Sequence, residues 1–316
     1  MASTRYYSER ICESIVKSTG SPCKNKQYYY SSENKQYTCG VHKGKEFTEL
    51  PHRPAIEKEE LVKAEINLQL IKVDEFRKQN VENSRLGSVC LIKMSMRKAV
   101  VSKEGWYNIF PNYRHQNRQD GFGCSSLSPM VLGPVKHGQP NLPDAQNLEN
   151  FHQGNKVFPC ELDEKNNPGS ASLAGFPHGN PTYEFVKRRL EMYNDKQPHR
   201  HKFTRNDRPV YSVWTDKNGS TYSIDYITSR QFYCTFYERM VTKEQDFIQL
   251  KKWRESGYNL AIQGYDAYEM EPNVKSIEEV YLNTSRPFGH ERVLFTMLVL
   301  EKEEDYPWRK HKTFEF

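Results

Sequence analysis

Three polar side chains recur at helical spacing near the middle of this 316-residue chain. Glu149, Gln153 and Lys156 occupy positions i, i+4 and i+7 of the segment 147–158, which we predict to be a helix. At about 100° per residue, these positions share one narrow face of a helix. That face would present a carboxylate, an amide and an amine in a row. The alternative interpretation is an ordinary solvated face.

The motifs around this segment resemble those of the NADAR family, the YbiA-like N-glycosidases. That family has a Leu-Ser-Asn-Phe type of loop, then a Ser-x-Glu-x-x-x-Gln-x-x-Lys helix, and later a glycine-rich segment with Gly-x-Asn. The order and spacing match over residues 121–270, about half of the chain. The corresponding residues are Leu127-Ser128 with Pro129-Met130 in place of the Asn-aromatic pair, Asn147 in place of the serine, Glu149, Gln153, Lys156, Gly257-Tyr258-Asn259-Leu260 and Gly264-Tyr265-Asp266.

The resemblance implies hydrolysis of an N-glycosidic bond in a nucleotide, ADP-ribosyl or modified nucleic-acid substrate, with no cofactor for catalysis. Breaking such a bond builds positive charge on the anomeric carbon, which Glu149 could stabilise, or Glu149 could activate water. Lys156 could form a Schiff base with the opened sugar, or it could bind phosphate as a point charge. Gln153 would orient the sugar hydroxyls.

Further substrate contacts follow from the resemblance. Asp266 is a candidate second carboxylate for catalysis, although an Asp beside Gly264 is also typical of a turn cap. Tyr258 or Tyr265 could stack on a base. The amide residues Asn147 and Asn259 are candidates for binding substrate.

Positive charge is concentrated in one stretch. The chain has 46 Lys and Arg against 40 Asp and Glu, a formal net charge of +6. Residues 187–208 hold eight of the cations and three acids, which is +5. Clustered cations attract phosphate, so we predict that Arg188 and Arg189 in this stretch help to bind substrate. A solvated helix and loop is the alternative.

A second basic element lies near the C-terminal end of the chain. Ser285 and Pro287 predict the start of a helix, with Ser285 as its N-cap. Arg286 and His290 could contact a phosphate at that helix end, or the motif could serve only as a cap.

Three cysteines and one histidine near the N-terminus have the composition of a zinc site. Cys12, Cys23, Cys39 and His42 fall in the pattern C-x10-C-x15-C-x2-H. Zinc prefers four such ligands in a tetrahedron, and a closed set is structural. A segment with so few apolar residues needs such a metal in order to fold. Unrelated reduced cysteines are the alternative, and His52 is an alternative ligand.

Lysines and tyrosines alternate around the cysteines, a composition that suits phosphate contact with base stacking. The same composition is typical of protein-binding fingers. The rival to the enzyme hypothesis is therefore a non-catalytic zinc-containing nucleic-acid-binding or adaptor protein. These residues are Lys17, Lys24, Lys26, Lys35, Lys43 and Lys45 with Tyr28, Tyr29, Tyr30 and Tyr37.

The elements that must position these residues divide the chain into three parts. We predict a zinc-binding module over 1–50, a connecting amphipathic helix over 51–86 and a NADAR-like domain over 87–316. In the helix, Leu61, Leu68 and Ile71 share a face that we expect to pack on a core or a partner helix. Asn218-Gly219 predicts a β-hairpin. Helices are predicted at 182–194, at about 227–240 and at 243–256, and Gly257 in the αL cap position ends the last of them. The fold class is α+β, with a predominantly helical domain, a small β-hairpin and the zinc module in front.

Several classes are excluded by composition. The longest apolar stretch, 293–300, is far shorter than the roughly 20 residues that a membrane helix needs. The odd number of cysteines, seven, and the lack of an N-terminal apolar signal favour reduced thiols and an intracellular protein, cytoplasmic or nuclear. We therefore expect no membrane partner, whereas the oligomeric state is not determined by the sequence.

Overall fold

The computed structural model describes residues 11–25, 27, 29–49, 55–96, 100–163, 179–200, 208–268 and 274–312. The chain divides into two compact units, Met1–Gln69 and Leu70–Phe316. The division falls inside the connecting segment 51–86 of the sequence-based prediction.

Short antiparallel strands form the first unit. β1 (Ile15–Val16) pairs with β2 (Ser21–Pro22), and a three-stranded sheet has the order β4 (Gln36–Thr38), β3 (Tyr29–Ser31), β5 (Phe47–Glu49). The buried cluster here consists of Cys12, Cys23 and Cys39 with Val16 against them. Cysteines thus take the place that larger apolar side chains hold in a core.

Helix α1 (Ala55–Glu82) covers the predicted amphipathic segment, but the predicted face is largely solvent-exposed. Leu61, Leu68 and Ile71 are 63%, 60% and 55% exposed, whereas Val73 is buried. Near the C-terminal end of the helix, other residues make the contacts with the rest of the second unit. The ring of Phe76 lies where a Cβ at Gly105 would collide with it, and Asn80 Nδ2 donates to the carbonyl oxygen of Gly257 over 2.9 Å.

A four-stranded parallel sheet lies at the centre of the second unit. Its order is β6 (Val89–Lys93), β12 (Leu260–Gly264), β7 (Tyr107–Phe110), β8 (Phe122–Gly123). All five residues of β12 and four of five in β6 are buried, as expected for parallel strands covered on both faces.

The predicted fold class is wrong. The chain is mixed α/β, 38% helical and 17% strand, with this parallel sheet at its centre, and it is not predominantly helical. Short apolar runs such as 107–110 and 260–264 cannot be distinguished from helical segments by periodicity. The strands that they form also pair with segments up to about 170 residues away, as in Val89 opposite Leu260.

A second, antiparallel sheet has the order β11 (Thr221–Ile224), β10 (Tyr211–Thr215), β9 (Lys156–Val157). The first two strands are the predicted hairpin. Its turn has Gly219 at φ +85°, and the Asp216 carboxylate accepts hydrogen bonds from the backbone N–H groups of Asn218 and Ser220, both at 2.9 Å. The Asn-Gly signal is therefore confirmed, whereas the third strand, β9, is not evident from the sequence.

Helices cover the sheets of the second unit. Aromatic residues dominate the core between them; the ring of Phe151 lies 4.8 Å from that of Phe236. The predicted helices at 182–194, 227–240 and 243–256 are confirmed as α3, α4 and α5. No helix among the described residues is long and apolar enough to cross a membrane. The helices are α2 (Leu148–Gly154), α3 (Tyr183–Asn194), α4 (Tyr226–Val241), α5 (Gln245–Glu255), α6 (Val274–Leu282), α7 (His290–Val299) and α8 (Pro307–Lys310).

Candidate functional site

The four predicted metal ligands of the first unit lie together. The ligand atoms of Cys12, Cys23, Cys39 and His42 are all within 4.8 Å of one another. His42 Nδ1 is 3.6 Å from the sulfur of Cys12 and 3.4 Å from that of Cys39, and the sulfurs of Cys23 and Cys39 are 3.9 Å apart. Metal–ligand bonds of about 2.0–2.3 Å in a tetrahedron give ligand separations of about 3.5–3.8 Å. The cluster can therefore hold one metal ion. His52 lies outside the described residues.

Backbone hydrogen bonds bring these ligands together from distant positions. Cys12 N donates to Asn25 O over 2.8 Å, and Cys23 N donates to Ser14 O over 2.8 Å. His42 N donates to Cys39 O over 3.0 Å, which forms the turn that the two-residue spacing predicts. Burial raises the pKa of Cys12 and Cys39, but backbone hydrogen bonds outweigh it and lower the pKa of both thiols. Lowered pKa values favour the thiolates that bind metal.

In the second unit, α2 carries the first two residues of the Glu149–Gln153–Lys156 motif. Asn147 is its N-cap, since its side chain accepts a hydrogen bond from Asn150 N at 2.8 Å. Gln153 Nε2 donates to Glu149 Oε1 over 3.0 Å, and Lys156 Nζ donates to Gln153 Oε1 over 3.1 Å. The carboxylate, amide and amine thus form one hydrogen-bonded chain of buried side chains.

The predicted helix over 147–158 is wrong at its C-terminal end. Helix α2 stops at Gly154, and Lys156 begins strand β9, where it pairs with Ser212 of β10. A Cβ at Gly154 would lie 2.9 Å from the ring of Tyr193, so the close approach of α3 requires glycine there. Lys156 reaches Gln153 from a strand and not from the helix face.

Burial lowers the pKa of Lys156 to about 8, opposed by the negative charge of Glu149 and assisted by the positive charge of Arg200. About a tenth of the side chains would then be neutral at pH 7. A neutral amine is a nucleophile, and an ammonium is not.

Arg200 connects this chain to the third predicted catalytic residue. Its Nε is 4.0 Å from Glu149 Oε1, and its Nη2 is 3.7 Å from Asp266 Oδ2. The two carboxylates therefore face the same guanidinium group. Paired carboxylates that cleave glycosidic bonds lie about 5–10 Å apart, a distance that one guanidinium can bridge.

A cavity of about 360 Å³ opens beside these residues. Gln153 and Arg200 line it, whereas Glu149, Lys156 and Asp266 are not among its lining residues. Gln153 and Arg200, which approach Glu149 Oε1 to 3.0 Å and 4.0 Å, are therefore the neighbours of that carboxylate that border the cavity. The other lining residues are Arg188, Glu191, Met192, Asp195 and His199.

Tyr258 and Asn259 lie away from these residues. They precede β12, whereas Asp266 follows it, and a five-residue strand spans about 16 Å. Asn259 Oδ1 accepts hydrogen bonds from Asn80 Nδ2 at 3.1 Å and from Ser88 N at 2.9 Å, which ties two backbone segments together. Tyr265 follows β12, and its ring centroid is 6.2 Å from that of His115.

The two arginines that we predicted to bind substrate make internal contacts. Arg188 forms an ion pair with Glu161. Arg189 is 5% exposed, and its Nη2 donates to Gln139 Oε1 and Asn155 Oδ1, both at 2.6 Å. Arg188 also lines the cavity, whereas the contacts of Arg189 are buried hydrogen bonds that stabilise the fold.

Replacing Arg189 with Ala should destabilise the fold by about 2–4 kcal/mol, because two buried acceptors lose their charged donor. Chemical denaturation measures this free energy of unfolding. Lys187→Ala on the same helix is the control; Lys187 is exposed, and its loss should change stability by less than about 0.5 kcal/mol. Equal stabilities of the two variants would contradict the structural role.

Two further residues, Glu291 and Tyr233, border the site, and our sequence-based prediction did not single them out. The buried Glu291 lies against two glycines. A Cβ at Gly264 would collide with its side chain, and a Cβ at Gly289 would lie 2.9 Å from its Oε2. Burial raises the pKa of Tyr233 well above its usual value, and the negative charges of Glu149 and Glu291 add to this effect. In the sequence, Gly264 and Gly289, the two glycines that leave room for its side chain, were the signal that could have pointed to Glu291.

Comparison of the chain with models of protein families, with curated proteins and with solved structures finds no match. The resemblance in the motifs of residues 121–270 therefore stays a prediction.

Proposed function

We propose that the second unit is an N-glycosidase that hydrolyses the bond between a ribose and a nitrogenous base in a nucleotide, ADP-ribosyl or modified nucleic-acid substrate. One observation supports it above the others. A buried carboxylate, amide and amine are joined by hydrogen bonds, and a second carboxylate faces the first across Arg200. Such a set has the acid, the base and the nucleophile that the reaction needs.

Cleavage of the C1′–N bond leaves positive charge on the anomeric carbon while the bonding electrons depart with the base. Glu149, 6% exposed, would stabilise that charge, because a carboxylate acts strongly where little water screens it. Gln153 holds Glu149 Oε1 in place and is itself held by Lys156. The departing nitrogen takes a proton, and we assign its delivery to Asp266, the second carboxyl group that faces Arg200.

The role that we assign to Lys156 is that of nucleophile toward the ribose carbon. The neutral amine would attack C1′ as the bonding electrons leave with the base. One amine proton then passes to the ring oxygen as the sugar opens to a Schiff base, and water hydrolyses that Schiff base to the ribosyl product and the free amine. The low exposure of Lys156, 8%, favours this role over that of a phosphate-binding point charge.

The direct test is detection of a free base. The full-length protein would be incubated with nucleotides, ADP-ribose conjugates and modified oligonucleotides, and the products would be separated by chromatography and identified by mass spectrometry. Release of a base from one substrate class, with equimolar ribosyl product, supports the proposal. Absence of release from all classes would refute it.

We also propose that the metal held by the first unit is a structural zinc ion. Three sulfurs and one imidazole nitrogen are the ligand types that zinc prefers, and four protein ligands leave no open position for catalysis. An intracellular location, which keeps such thiols reduced, remains our prediction.

Cys39→Ser should lower the zinc content from one equivalent to less than about a tenth, because the remaining three ligands bind zinc far more weakly. Elemental analysis of the purified full-length chain measures it. Cys160→Ser is the matched control, since Cys160 is exposed and lies outside the cluster. Full zinc content in Cys39→Ser would contradict the assignment.

The rival function, nucleic-acid binding without catalysis, has one observation in its favour. Tyr30 and Tyr37 are cross-strand partners on β3 and β4, with ring centroids 5.2 Å apart and Tyr37 39% exposed. Such a pair could stack on bases. Salt-dependent binding of an oligonucleotide that survives Glu149→Gln, with no base released from any substrate, would favour this function.

A further inference from the structure

Three cations surround one aromatic ring in the second unit. Lys93 Nζ lies 4.1 Å from the ring centroid of Tyr268, and the guanidinium carbons of Arg286 and Arg292 lie 4.9 Å and 5.6 Å from it. The four residues come from separate segments: the end of β6, the loop after β12, the loop before α7 and the first turn of α7.

Like charges at this spacing repel one another, and one ring offers each cation only about 0.5–2 kcal/mol of attraction. Lys93 and Arg286 are exposed, and among the described residues neither forms an ion pair with an acid. Arg292 is 2% exposed, and burial lowers its pKa, as does the charge of Arg286, whereas the negative charges of Glu291 and Asp266 oppose both. An anion seated among the three cations would remove the repulsion.

The cluster lies at the carboxyl edge of the parallel sheet. Lys93 ends β6, and Tyr268 comes four residues after the end of the neighbouring strand β12. Ligands of sheets with parallel strands bind outside this edge.

The cluster also adjoins the proposed catalytic residues. Tyr268 N donates to the carbonyl oxygen of Asp266 over 3.1 Å, and the Asp266 carboxylate is 3.7 Å from Arg200, the residue that also faces Glu149. One substrate could therefore place a charged group at Tyr268 and its glycosidic bond near Asp266.

We propose that Lys93, Arg286 and Arg292, gathered around Tyr268, form the phosphate subsite of the proposed N-glycosidase. The subsite takes the phosphate or diphosphate ester of the nucleotide, which Arg and Lys recognise by charge-assisted hydrogen bonds. This assignment rests on the proposed function. The subsite takes the place of Arg188 and Arg189, which are internally paired, as the source of phosphate affinity.

The first test compares a nucleotide with the nucleoside that lacks its phosphate. The double variant Lys93→Gln/Arg286→Gln should raise KM for the nucleotide at least tenfold and leave KM for the nucleoside within twofold of wild type. Lys103→Gln is the matched control, because Lys103 is also an exposed lysine whose Nζ lies over a ring, that of Trp106 at 4.1 Å, and it lies outside the cluster around Tyr268. An unchanged KM for the nucleotide in the double variant would overturn the subsite. Base release by the wild-type protein in the same experiment would still support the enzyme function.

The second test does not depend on catalysis. Calorimetry with inorganic pyrophosphate should show binding to the wild-type chain and to Lys103→Gln, with at least tenfold weaker binding to the double variant. If pyrophosphate binding depends on Lys93 and Arg286 but no base is ever released, the anion site stands and the N-glycosidase function fails. Equal binding by all three proteins, or none by the wild type, would refute the anion site. Thermal melting of the double variant excludes loss of the fold as the cause.

Discussion

Replacing Glu149 with Gln is expected to lower the rate of base release by about 10²–10³-fold, the usual cost of removing one group that stabilises charge in the transition state. The amide is isosteric with the carboxylate, and its oxygen can still accept the 3.0 Å hydrogen bond from Gln153 Nε2. What disappears is the negative charge that faces the anomeric carbon. The free energy of unfolding should change by no more than about 1 kcal/mol.

Base release followed by chromatography, together with chemical denaturation, measures both quantities. Glu191→Gln is the matched control, because Glu191 is an exposed carboxylate that lines the same cavity and lies outside the Glu149–Gln153–Lys156 chain. Its turnover should stay within about twofold of wild type. Unchanged turnover in Glu149→Gln would remove the carboxylate from the mechanism.

Loss of Lys156 is expected to lower the rate of base release by a similar factor. Its role as a nucleophile also predicts a distinct pH dependence of the wild-type rate. Burial lowers the pKa of Lys156 to about 8, so the neutral amine predominates above pH 8 and is lost as the pH falls below it. A nucleophilic amine therefore predicts that kcat/KM rises about tenfold per pH unit below pH 8 and becomes constant above it. Both Lys156→Ala and Lys156→Arg should lack turnover.

The Arg variant separates two roles for this side chain. Arginine keeps the positive charge but is always protonated, so it replaces a phosphate-binding point charge and cannot replace a nucleophile. Trapping with borohydride should link wild-type protein to the ribosyl product and fail with both variants. Lys187→Ala, an exposed lysine on α3, is the control. Activity retained in Lys156→Arg, or a flat pH profile, would contradict the nucleophilic role.

Features whose partners lie within a few residues were predictable from the sequence. The Asn218-Gly219 turn, the αL residue Gly257 after α5 and the Cys39–His42 turn depend on local backbone geometry, and the structure contains all three. The hydrogen bond between Glu149 and Gln153 belongs to the same class, because side chains four residues apart in a helix are neighbours.

Features that depend on distant pairing were predicted incorrectly or missed. The parallel sheet was missed because β6 and β12 are only five residues long and their pairing joins segments about 170 residues apart in the sequence, which no local pattern predicts. The predicted apolar face of α1 failed for a related reason. A heptad-like spacing shows which residues could be buried together, but Leu61 and Leu68 are covered only if some other surface packs there.

The charges illustrate the same limit at the site. From the sequence, Arg188 and Arg189 could not be distinguished from cations that face solvent. In the structure, Arg188 forms an ion pair with Glu161, and Arg189 donates hydrogen bonds to Gln139 and Asn155. Around Tyr268, by contrast, Lys93 is almost 200 residues away in sequence from Arg286 and Arg292, and the fold alone brings the three cations to one ring.

By itself, the sequence predicted the four residues of the cysteine–histidine cluster, the hairpin, three helices and the Glu149–Gln153 pair. The hairpin, the helices, the pair and the Cys39–His42 turn depend on spacings that local backbone geometry converts into contact, whereas Cys12 and Cys23 join the cluster through longer-range backbone hydrogen bonds. Only the tertiary structure decided that Lys156 approaches from strand β9, that Arg200 joins Glu149 to Asp266, and which cations remain available for a substrate. These relations join segments that are distant in sequence, and burial, which changes the pKa of Lys156, exists only once those segments have packed.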